Sequence, residues 1–354
     1  MSRYDITPEK QASLPRYLFK QATFKPTPVQ DVDLTGQTAI ITGANSGVGF
    51  GISRQLLDLG LSRLILAVRD ETKGAAAADK LSLKTDGSKR QSATIEIWKL
   101  DLFHYESVMA FAKRAEETLD RLDIIMLNAA MGVPAQRAFH PQTKHDEILQ
   151  VNYLSTSLLA ILLLPVVKKT RANQPAPTRI TFTSSEASAW TKYPLGMHTP
   201  IFETFDRPDK KVDLADRMFT SKLLGQFLLR ELARRVPTGA AIINGASPGM
   251  VNDSEFDRDF KKTSIGAIMQ RIKPWMGSTS AVAAHMVTHA AVACGEETHG
   301  DFLSFQKLVP MAPIIYTSEG ERISAQLWKE TMEELEFAKV EDIMNSLNTS
   351  TTTN

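Results

Sequence analysis

Gly43, Gly47 and Gly49 lie closely spaced between the apolar run 38–41 and the helix-like run 52–59. Glycine lets the backbone turn sharply and approach a ligand closely. A helix that begins at such a turn presents unpaired N–H groups and the positive end of its dipole, which stabilise a pyrophosphate. Glycine-rich turns are common, but the flanking strand-like and helix-like runs favour a phosphate-binding turn here.

Two histidines and one cysteine could also take part in chemistry, but their sequence context is less informative. His285 and His289 lie one helical turn apart, as zinc ligands can, but no clear third ligand accompanies them. We expect them to be core or surface histidines and predict no metal site. Cys294 is the single cysteine, which excludes an internal disulfide framework and fits a reducing compartment. We expect it to behave as a small buried residue.

The composition is that of an ordinary globular protein. The 354 residues are 43% hydrophobic and 23% charged, with a formal net charge of +1. Such a charge gives no strong field for nucleic acid or an anionic membrane. The most apolar run, 158–167, is too short to span a bilayer, and no signal-peptide pattern precedes it. We therefore expect a cytoplasmic protein with no nucleic-acid partner and no membrane span.

Strand-like and helix-like segments alternate along the chain, and the long helical stretch 143–169 contains Pro165, which we expect to kink or end it. The runs predicted as strands are 38–41, 63–68, 94–100, 123–127, 178–183, 239–244 and 301–305. This alternation predicts an α/β fold with a doubly wound parallel sheet of about seven strands and helices on both faces. Ligands bind such sheets at the carboxyl ends of the strands.

Six motifs follow one another in a fixed order. They are TGANSGVG at 42–49, Asp101 after the third strand, NAA at 128–130, Asn152 in the long helix, Ser185 after the fifth strand and Pro248-Gly249 after the sixth. Their order and spacing resemble the short-chain dehydrogenase/reductase family over about residues 34–305. The segments LILAVRD and TSKLL are similar to those of the retinol-dehydrogenase-like branch and its relatives in fungal secondary metabolism. The resemblance implies a single Rossmann-type domain that transfers hydride to or from a carbonyl.

The resemblance also implies roles for individual residues. Ser185 would polarise the carbonyl oxygen, Asn152 would fix a water of the proton relay, and Lys222 would hold the nicotinamide ribose. The residues that would bind the cofactor are Gly43, Asn45, Ser46, Gly47, Val48, Gly49, Arg69, Asp101, Asn128, Lys222 and Val251. Asp253 could accept from the cofactor carboxamide. The last residue of NAA departs from the family's NAG.

Arg69 follows the second strand, where the adenosine ribose of the cofactor lies in this kind of fold. An acidic residue there accepts the ribose 2′-OH, whereas Arg offers a charge-assisted, fork-shaped partner for a 2′-phosphate. Taken alone, Arg69 is a solvated surface charge, but beside the cofactor turn it predicts NADP(H). Asp70 is expected to cap the following helix.

The proton donor of the family is absent from its usual position. The family has a Tyr four residues before its Lys, but Met218 stands four residues before Lys222. A thioether has no proton to give, and losing a positioned general acid costs ~10²–10⁴ in rate. Tyr193 and His198 are candidate substitutes, although such residues in irregular stretches more often pack or face solvent.

The leading hypothesis is an NADP(H)-dependent oxidoreductase that acts on a hydrophobic carbonyl or alcohol in a biosynthetic pathway, with an atypical proton relay. Because of Met218, a redox-neutral isomerase or cyclase and a non-catalytic NADP(H)-binding protein stay open. The long helices around Asn152 and Lys222 are natural surfaces for a homodimer.

The expected organisation is an N-terminal arm (1–33), the cofactor-binding domain (34–338) and a C-terminal tail (339–354). Within the domain, the irregular stretches 188–213 and 252–277 are expected to close over the substrate. Their aromatic residues, Trp190, Phe202, Phe205 and Trp275, predict an apolar pocket.

Overall fold

One mixed sheet forms the centre of the fold. The computed structural model describes residues 3–84, 86–90, 93–192, 200–207, 213–253 and 276–347. In these ranges eight strands pair in the order β3-β2-β1-β4-β5-β6-β7-β8, and every pair is parallel except the antiparallel β7–β8. The strands are β1 Thr38–Thr42, β2 Arg63–Val68, β3 Thr94–Lys99, β4 Ile124–Leu127, β5 Thr178–Thr183, β6 Ala241–Ala246, β7 Phe302–Ser304 and β8 Lys307–Val309.

Helices cover both faces of this sheet. They are α1 Pro8–Gln11, α2 Leu14–Thr23, α3 Gly47–Asp58, α4 Glu71–Leu81, α5 Tyr105–Thr118, α6 Glu147–Leu149, α7 Ser155–Leu162, α8 Leu164–Thr170, α9 Ile201–Asp206, α10 Leu214–Arg235, α11 Ser280–Val292, α12 Ser318–Glu334 and α13 Val340–Ser346. The predicted doubly wound α/β architecture is therefore confirmed.

Successive residues of β1 enter two different hydrophobic clusters. Ile40 packs with α5, α7 and α10 on one face, whereas Ala39 and Ile41 pack with α3 and α11 on the other. All five residues of the strand are buried. Burial on both faces explains why the central strands are continuous apolar runs without alternation.

The long helical stretch is interrupted twice. A π-helical turn, Gln150–Leu154, joins α6 to α7, and α8 begins after Leu163 with Pro165 in its first turn, as the proline predicted. The stretch Glu147–Asn173 is 27 residues long and apolar enough to cross a membrane, but 78% of its most apolar window is buried inside the protein. This burial is that of a core helix.

The short strand β8 is absent from the sequence-based prediction. It follows β7 through Phe305 and Gln306, whose φ angles are +49° and +56°. Two-residue hairpin turns with positive φ usually contain Asn or Gly, so neither residue type signalled a hairpin.

The N-terminal arm packs on this hairpin. The rings of Tyr17 and Phe24 lie with their centroids 6.0 and 5.5 Å from that of Phe305. The Gln306 side chain accepts from the Thr27 N–H (2.9 Å) and donates to the Thr27 carbonyl (2.8 Å). The arm is thus attached to the end of the sheet through both aromatic and backbone contacts.

Helices α3 and α11 approach each other closely at Gly51. A Cβ atom at this position would lie 2.8 Å from the Cβ of Ala284 and 3.0 Å from the carbonyl oxygen of Ser280. Only glycine therefore allows the contact, which joins the helix after β1 to the helix before β7.

Candidate active site

The predicted site residues meet at one edge of the sheet. Strands β1 to β6 end there, and each end is followed by one of them: Gly43, Arg69, Asp101, Asn128, Ser185 and Val251. The strand order reverses between β1 and β4, which creates the crevice where doubly wound sheets bind ligands. The roles of the individual residues stay predictions.

The glycine turn leaves no room for a side chain at Gly49. A Cβ atom at Gly49 would lie 2.4 Å from the Gly43 carbonyl oxygen and 2.6 Å from the Asn128 amide nitrogen, so no side chain fits. Ser46 precedes α3 but its side chain makes no capping bond. The first N–H groups of α3 are therefore open to an anion, with Asn45 and Val48 partly exposed beside them.

Asn128 ties the glycine turn to the next strands. The Thr42 hydroxyl accepts from the N–H groups of Asn128 and Ala129 at 2.9 Å each. The Asn128 side chain donates to the Thr42 carbonyl (3.0 Å). Its amide oxygen accepts from the Thr183 hydroxyl (3.3 Å), so this side chain links the ends of β1, β4 and β5.

The residues predicted to bind the adenosine part of the cofactor are exposed or partly buried. Arg69 is exposed directly after β2. Asp70 caps α4 by accepting from the Lys73 N–H (3.1 Å), as predicted. Asp101, partly buried after β3, accepts from the Phe103 N–H (3.0 Å) with one carboxylate oxygen. Arg69 is thus the residue at the end of β2 whose side chain is not engaged in forming the turn.

Asn152 lies in the π-helical turn and reaches two segments. Its side-chain oxygen accepts from the Met131 N–H (2.6 Å), and its nitrogen donates to the Met131 carbonyl (3.0 Å). The same nitrogen donates to the Ser221 hydroxyl (3.0 Å), which in turn donates to the Met218 carbonyl (2.7 Å). Ser221 was missed by sequence reasoning, and its position beside Lys222 was the only available signal.

Lys222 extends from α10 to the end of β5. Its ammonium donates to the Thr183 carbonyl at 3.3 Å. Burial disfavours the charged form and lowers the pKa of Lys222 to about 8. The side chain can therefore exchange its proton close to neutral pH.

Ser185 is held by the segment that follows β5. Its hydroxyl oxygen accepts from the Ala187 N–H (3.1 Å) and caps a short 3₁₀ helix, Glu186–Ala189. The O–H hydrogen of Ser185 is not used by that bond and is available to a carbonyl oxygen.

The next residue, Glu186, is buried. Its carboxylate accepts from the hydroxyls of Ser247 and Ser304 at 2.5 Å each, and burial raises its pKa. Glu186 thereby joins the ends of β5, β6 and β7. Sequence reasoning missed it because the two serines that bind it lie far away in the chain.

A parallel bridge fixes the turn after β6. Ser278 donates to the Met250 carbonyl and accepts from the Asn252 N–H, both at 2.9 Å, in a parallel bridge with Val251. The N–H and C=O of Val251 itself therefore point away from Ser278. Asp253 accepts from the N–H (2.7 Å) and hydroxyl (2.6 Å) of Ser280 at the start of α11 with one carboxylate oxygen.

Two buried phenols of the described ranges, Tyr105 and Tyr153, are poor substitutes for the missing proton donor. Met218 is buried in α10, at 9% exposure. Tyr105 and Tyr153 bind Glu334 and Thr331, and burial raises the pKa of each above its usual range. The candidate substitutes Tyr193 and His198 lie outside the described residues.

The prediction of a pocket wall built from Phe202 and Phe205 is wrong. Both rings are buried in the hydrophobic core. Trp190 is partly buried and donates to the Ala12 carbonyl in the arm (2.8 Å). Trp275 lies outside the described residues.

Charged residues from distant elements explain why α9 turns its aromatic side inward. Glu330 accepts from the N–H groups of Ile201 (2.7 Å) and Phe202 (2.9 Å) at its start. At its end, the Arg217 guanidinium lies 4.0 Å from the centre of the Phe205 ring and is buried with Asp146. No local pattern in the sequence predicted this network.

The remaining candidates show no assembled site. His289 lies 3.5 Å from the Cys294 sulfur, and burial lowers the pKa of both His285 and His289. Burial raises the pKa of the half-buried Cys294 thiol to about 11, which makes it a poor nucleophile. Within the described ranges, no group of three His, Cys, Asp or Glu side chains is placed to hold a metal.

Comparisons with known proteins assign the chain to a family. Residues 37–195 match the family model for short chain dehydrogenase. The short-chain dehydrogenase fogG of Aspergillus ruber is 40% identical over 349 residues, which cover 97% of this chain and 98% of the relative. The protein therefore belongs to the short-chain dehydrogenase/reductase family.

A second sequence relative agrees with this assignment, and one solved structure shares the fold. The short chain dehydrogenase/reductase mfmJ of Annulohypoxylon moriforme is 36% identical, over 98% of this chain and 99% of the relative. The solved Pseudomonas aeruginosa RhlG/NADP active-site complex has a TM-score of 0.57 at 21% identity, over 78% of this chain and 98% of that chain, and shows the shared fold. Both sequence relatives are fungal, in agreement with the branch that the motifs resembled.

Proposed function

We propose that the protein is an NADP(H)-dependent oxidoreductase that acts on a hydrophobic carbonyl or alcohol in a biosynthetic pathway. The observation that carries this proposal is the grouping of Lys222 and Ser185 at the end of β5. The ammonium of Lys222 binds the carbonyl of Thr183, two residues before Ser185. Ser221, the neighbour of Lys222, binds Asn152.

The residues at the edge of the sheet fit a phosphorylated dinucleotide. When bound, the nicotinamide cofactor would supply hydride transfer to or from the carbonyl carbon. The uncapped start of α3 would bind its pyrophosphate. Arg69 would pair with the 2′-phosphate, since the neighbouring acid, Asp70, is engaged as the cap of α4. The backbone of Val251 would bind the carboxamide.

The proton would come from Lys222 through a water molecule. Its pKa of about 8 lies close to operating pH, which is where a general acid is most effective. Ser185 would donate a hydrogen bond from its O–H group to the substrate oxygen. Asn152, which donates to the Ser221 hydroxyl, would hold the water of the proton relay near Lys222. Met218 takes no part in proton transfer, because its thioether has no hydrogen to donate.

The substrate class rests on apolar side chains beside these residues. Trp190 and Phe219 are partly exposed, and their ring centroids lie 6.3 Å apart. Trp190 follows the segment of Ser185, and Phe219 belongs to the helix of Lys222. Together with Met218, they favour a hydrophobic carbonyl over a sugar.

The test is NADPH consumption with a panel of hydrophobic ketones and aldehydes. The unmodified protein and the matched apolar variant Met218→Leu should turn over the same substrates at similar rates. Met218→Tyr should be faster, because it supplies a phenol beside Lys222. Turnover by Met218→Tyr alone would overturn the reductase proposal.

The second candidate function is a redox-neutral isomerase or cyclase that uses the same pocket. Met218 favours it, because such a reaction needs no phenol at that position. Conversion of a substrate without any change in NADPH absorbance would support this alternative.

A further inference from the structure

The N-terminal arm reaches into the turn after β6. We propose that Gln21, a residue of α2, is a positioning residue that holds this turn, residues 249–253, in the conformation that binds the nicotinamide side of the cofactor. This inference rests on the proposed NADP(H) site.

Gln21 is joined to both sides of the turn. The side chain is buried, at 6% exposure. Its oxygen accepts from the Met250 N–H at 2.8 Å, and its nitrogen donates to the Met276 carbonyl at 3.0 Å and lies 3.5 Å from the Met250 carbonyl. A single primary amide thus cross-links the two backbone segments that pair at Val251 and Ser278.

The turn is shaped to receive this side chain. Gly249 has a φ angle of +66°, and a Cβ atom there would lie 2.6 Å from the Gln21 side-chain oxygen. Glycine at this position therefore serves both the backbone conformation and the approach of Gln21. The Ser247 hydroxyl accepts from the Gly249 N–H at 3.0 Å on the side of the turn that leads back to β6.

Because Gln21 and Ser278 bind the backbone of Met250, we expect a ligand to bind the backbone groups of Val251. Ser278 and Gln21 together engage the N–H and carbonyl of Met250. The peptide groups of Val251 are left without a partner from either residue. If Gln21 were removed, the buried Met250 N–H would lose its acceptor, and the turn would have to rearrange to satisfy it.

The position of Gln21 is fixed by the rest of the arm. Tyr17, one helical turn earlier, packs edge-on against Trp190 with ring centroids 5.1 Å apart. Trp190 also donates to the Ala12 carbonyl at 2.8 Å. Helix α2 is therefore held against the segment that follows Ser185 as well as against the turn after β6.

The experiment measures the affinities of the protein and its variants for two ligands. NADPH occupies the whole site, whereas 2′,5′-ADP reaches only the adenosine side. We expect Gln21→Leu, which removes the hydrogen bonds but keeps a similar volume, to weaken NADPH binding by about tenfold or more. Its affinity for 2′,5′-ADP should stay that of the unmodified protein. Phe19→Ala, at a position that is 66% exposed on the same helix, is the matched control and should leave both affinities unchanged.

Gln21→Glu provides a second, independent readout. A protonated carboxyl group can accept from Met250 and donate to Met276 as the amide does, but a carboxylate repels the Met276 carbonyl. Measured relative to the unmodified protein at each pH, NADPH affinity of this variant should therefore recover as the pH falls from about 8 to about 6, because burial raises the pKa of a carboxyl group. Gln21→Leu should stay weaker than the unmodified protein by the same factor at every pH, so the pH dependence that both share through Lys222 cancels in the comparison. In cofactor-free Gln21→Leu, the backbone amides of 249–253 should exchange with deuterium faster than in the unmodified protein.

The outcomes separate this inference from the proposed function. Equal NADPH affinity in the unmodified protein and Gln21→Leu, or a parallel loss of both ligands, would overturn the role of Gln21. Failure of the unmodified protein to bind either ligand would overturn the cofactor site itself.

Discussion

Lys222 and Asn128 bind opposite ends of the same residue, Thr183. The Lys222 ammonium donates to the Thr183 carbonyl, and the Thr183 hydroxyl donates to the Asn128 amide oxygen, both at 3.3 Å. Asn128 in turn binds Thr42, which leads into the glycine turn. The proposed proton source and the proposed pyrophosphate site are therefore joined by three hydrogen bonds, two of which end on backbone carbonyl groups.

The first prediction concerns the charge of Lys222. Because burial lowers its pKa to about 8, the ammonium is present below that pH and is lost above it. NADPH affinity of the unmodified protein should therefore fall as the pH rises through about 8. Lys222→Arg keeps its charge throughout and should give a flat profile in the same fluorescence titration. A flat profile in the unmodified protein would contradict the ribose-binding role.

The second prediction concerns the space at the glycine turn. Gly49→Ala places a methyl group 2.4 Å from the Gly43 carbonyl oxygen and should abolish measurable NADPH binding. Gly225→Ala is the matched control, because a Cβ atom in the middle of α10 meets nothing within 4 Å. That variant should bind NADPH normally and gain about 0.5–1 kcal/mol in free energy of unfolding. Normal NADPH binding by Gly49→Ala would argue against this turn as the pyrophosphate site.

The third prediction concerns the choice of cofactor. Arg69→Ala should weaken NADPH binding by about tenfold or more, since a hydrogen bond to a charged group contributes ~1.5–3 kcal/mol. NADH lacks the 2′-phosphate, so its affinity should not change, and it serves as the internal control. Equal affinities for NADPH and NADH in the unmodified protein would rule out the assignment of Arg69.

The fourth prediction concerns the buried carboxyl group of Glu186. Glu186→Ala leaves the hydroxyls of Ser247 and Ser304 without their acceptor and should lower the free energy of unfolding by about 1–3 kcal/mol or more. Glu186→Gln retains an acceptor and a similar shape, so its loss should be smaller. Chemical denaturation of the three proteins measures the difference, and equal stabilities would show that the cross-link between β5, β6 and β7 is not needed.

The fifth prediction concerns the pH dependence of stability. Burial alone would lower the pKa of His145, but hydrogen bonds with Asp206 and Glu334 outweigh it and raise the pKa to about 9. The unfolded value is near ~6.5, so the stabilisation is full below that pH and is lost as the pH rises toward the folded value. The free energy of unfolding should fall above pH ~6.5, with a limiting slope of about 1.4 kcal/mol per pH unit for one proton.

The measurement should be made below about pH 8. Above that pH, the lowered pKa of Lys222 makes the free energy of unfolding rise with pH, which opposes the effect of His145. His145→Gln should remove the slope. A slope that persists in His145→Gln would assign the proton to another group.

The sequence predicted the central sheet and the glycine turn because their signals are local. Burial on both faces forces an uninterrupted apolar run such as β1, and a helix that follows it closely requires glycine at 49. Phe202 and Phe205 were misassigned because their burial depends on Glu330 and Arg217, which lie in other helices. Gln21 and Glu186 were missed for the same reason, since their partners are brought to them only by the fold.

The contact between α3 and α11 at Gly51 fixes the distance between the two ends of the proposed cofactor site. Helix α3 begins at the proposed pyrophosphate site, and α11 begins where Asp253 connects it to the nicotinamide-side turn. Since only the methyl group of Ala284 fits between the two helices at Gly51, their separation there is fixed by direct packing. The protein should therefore select dinucleotides by their span, and a cofactor analogue lengthened by a single phosphate should be rejected even if both of its ends are correct.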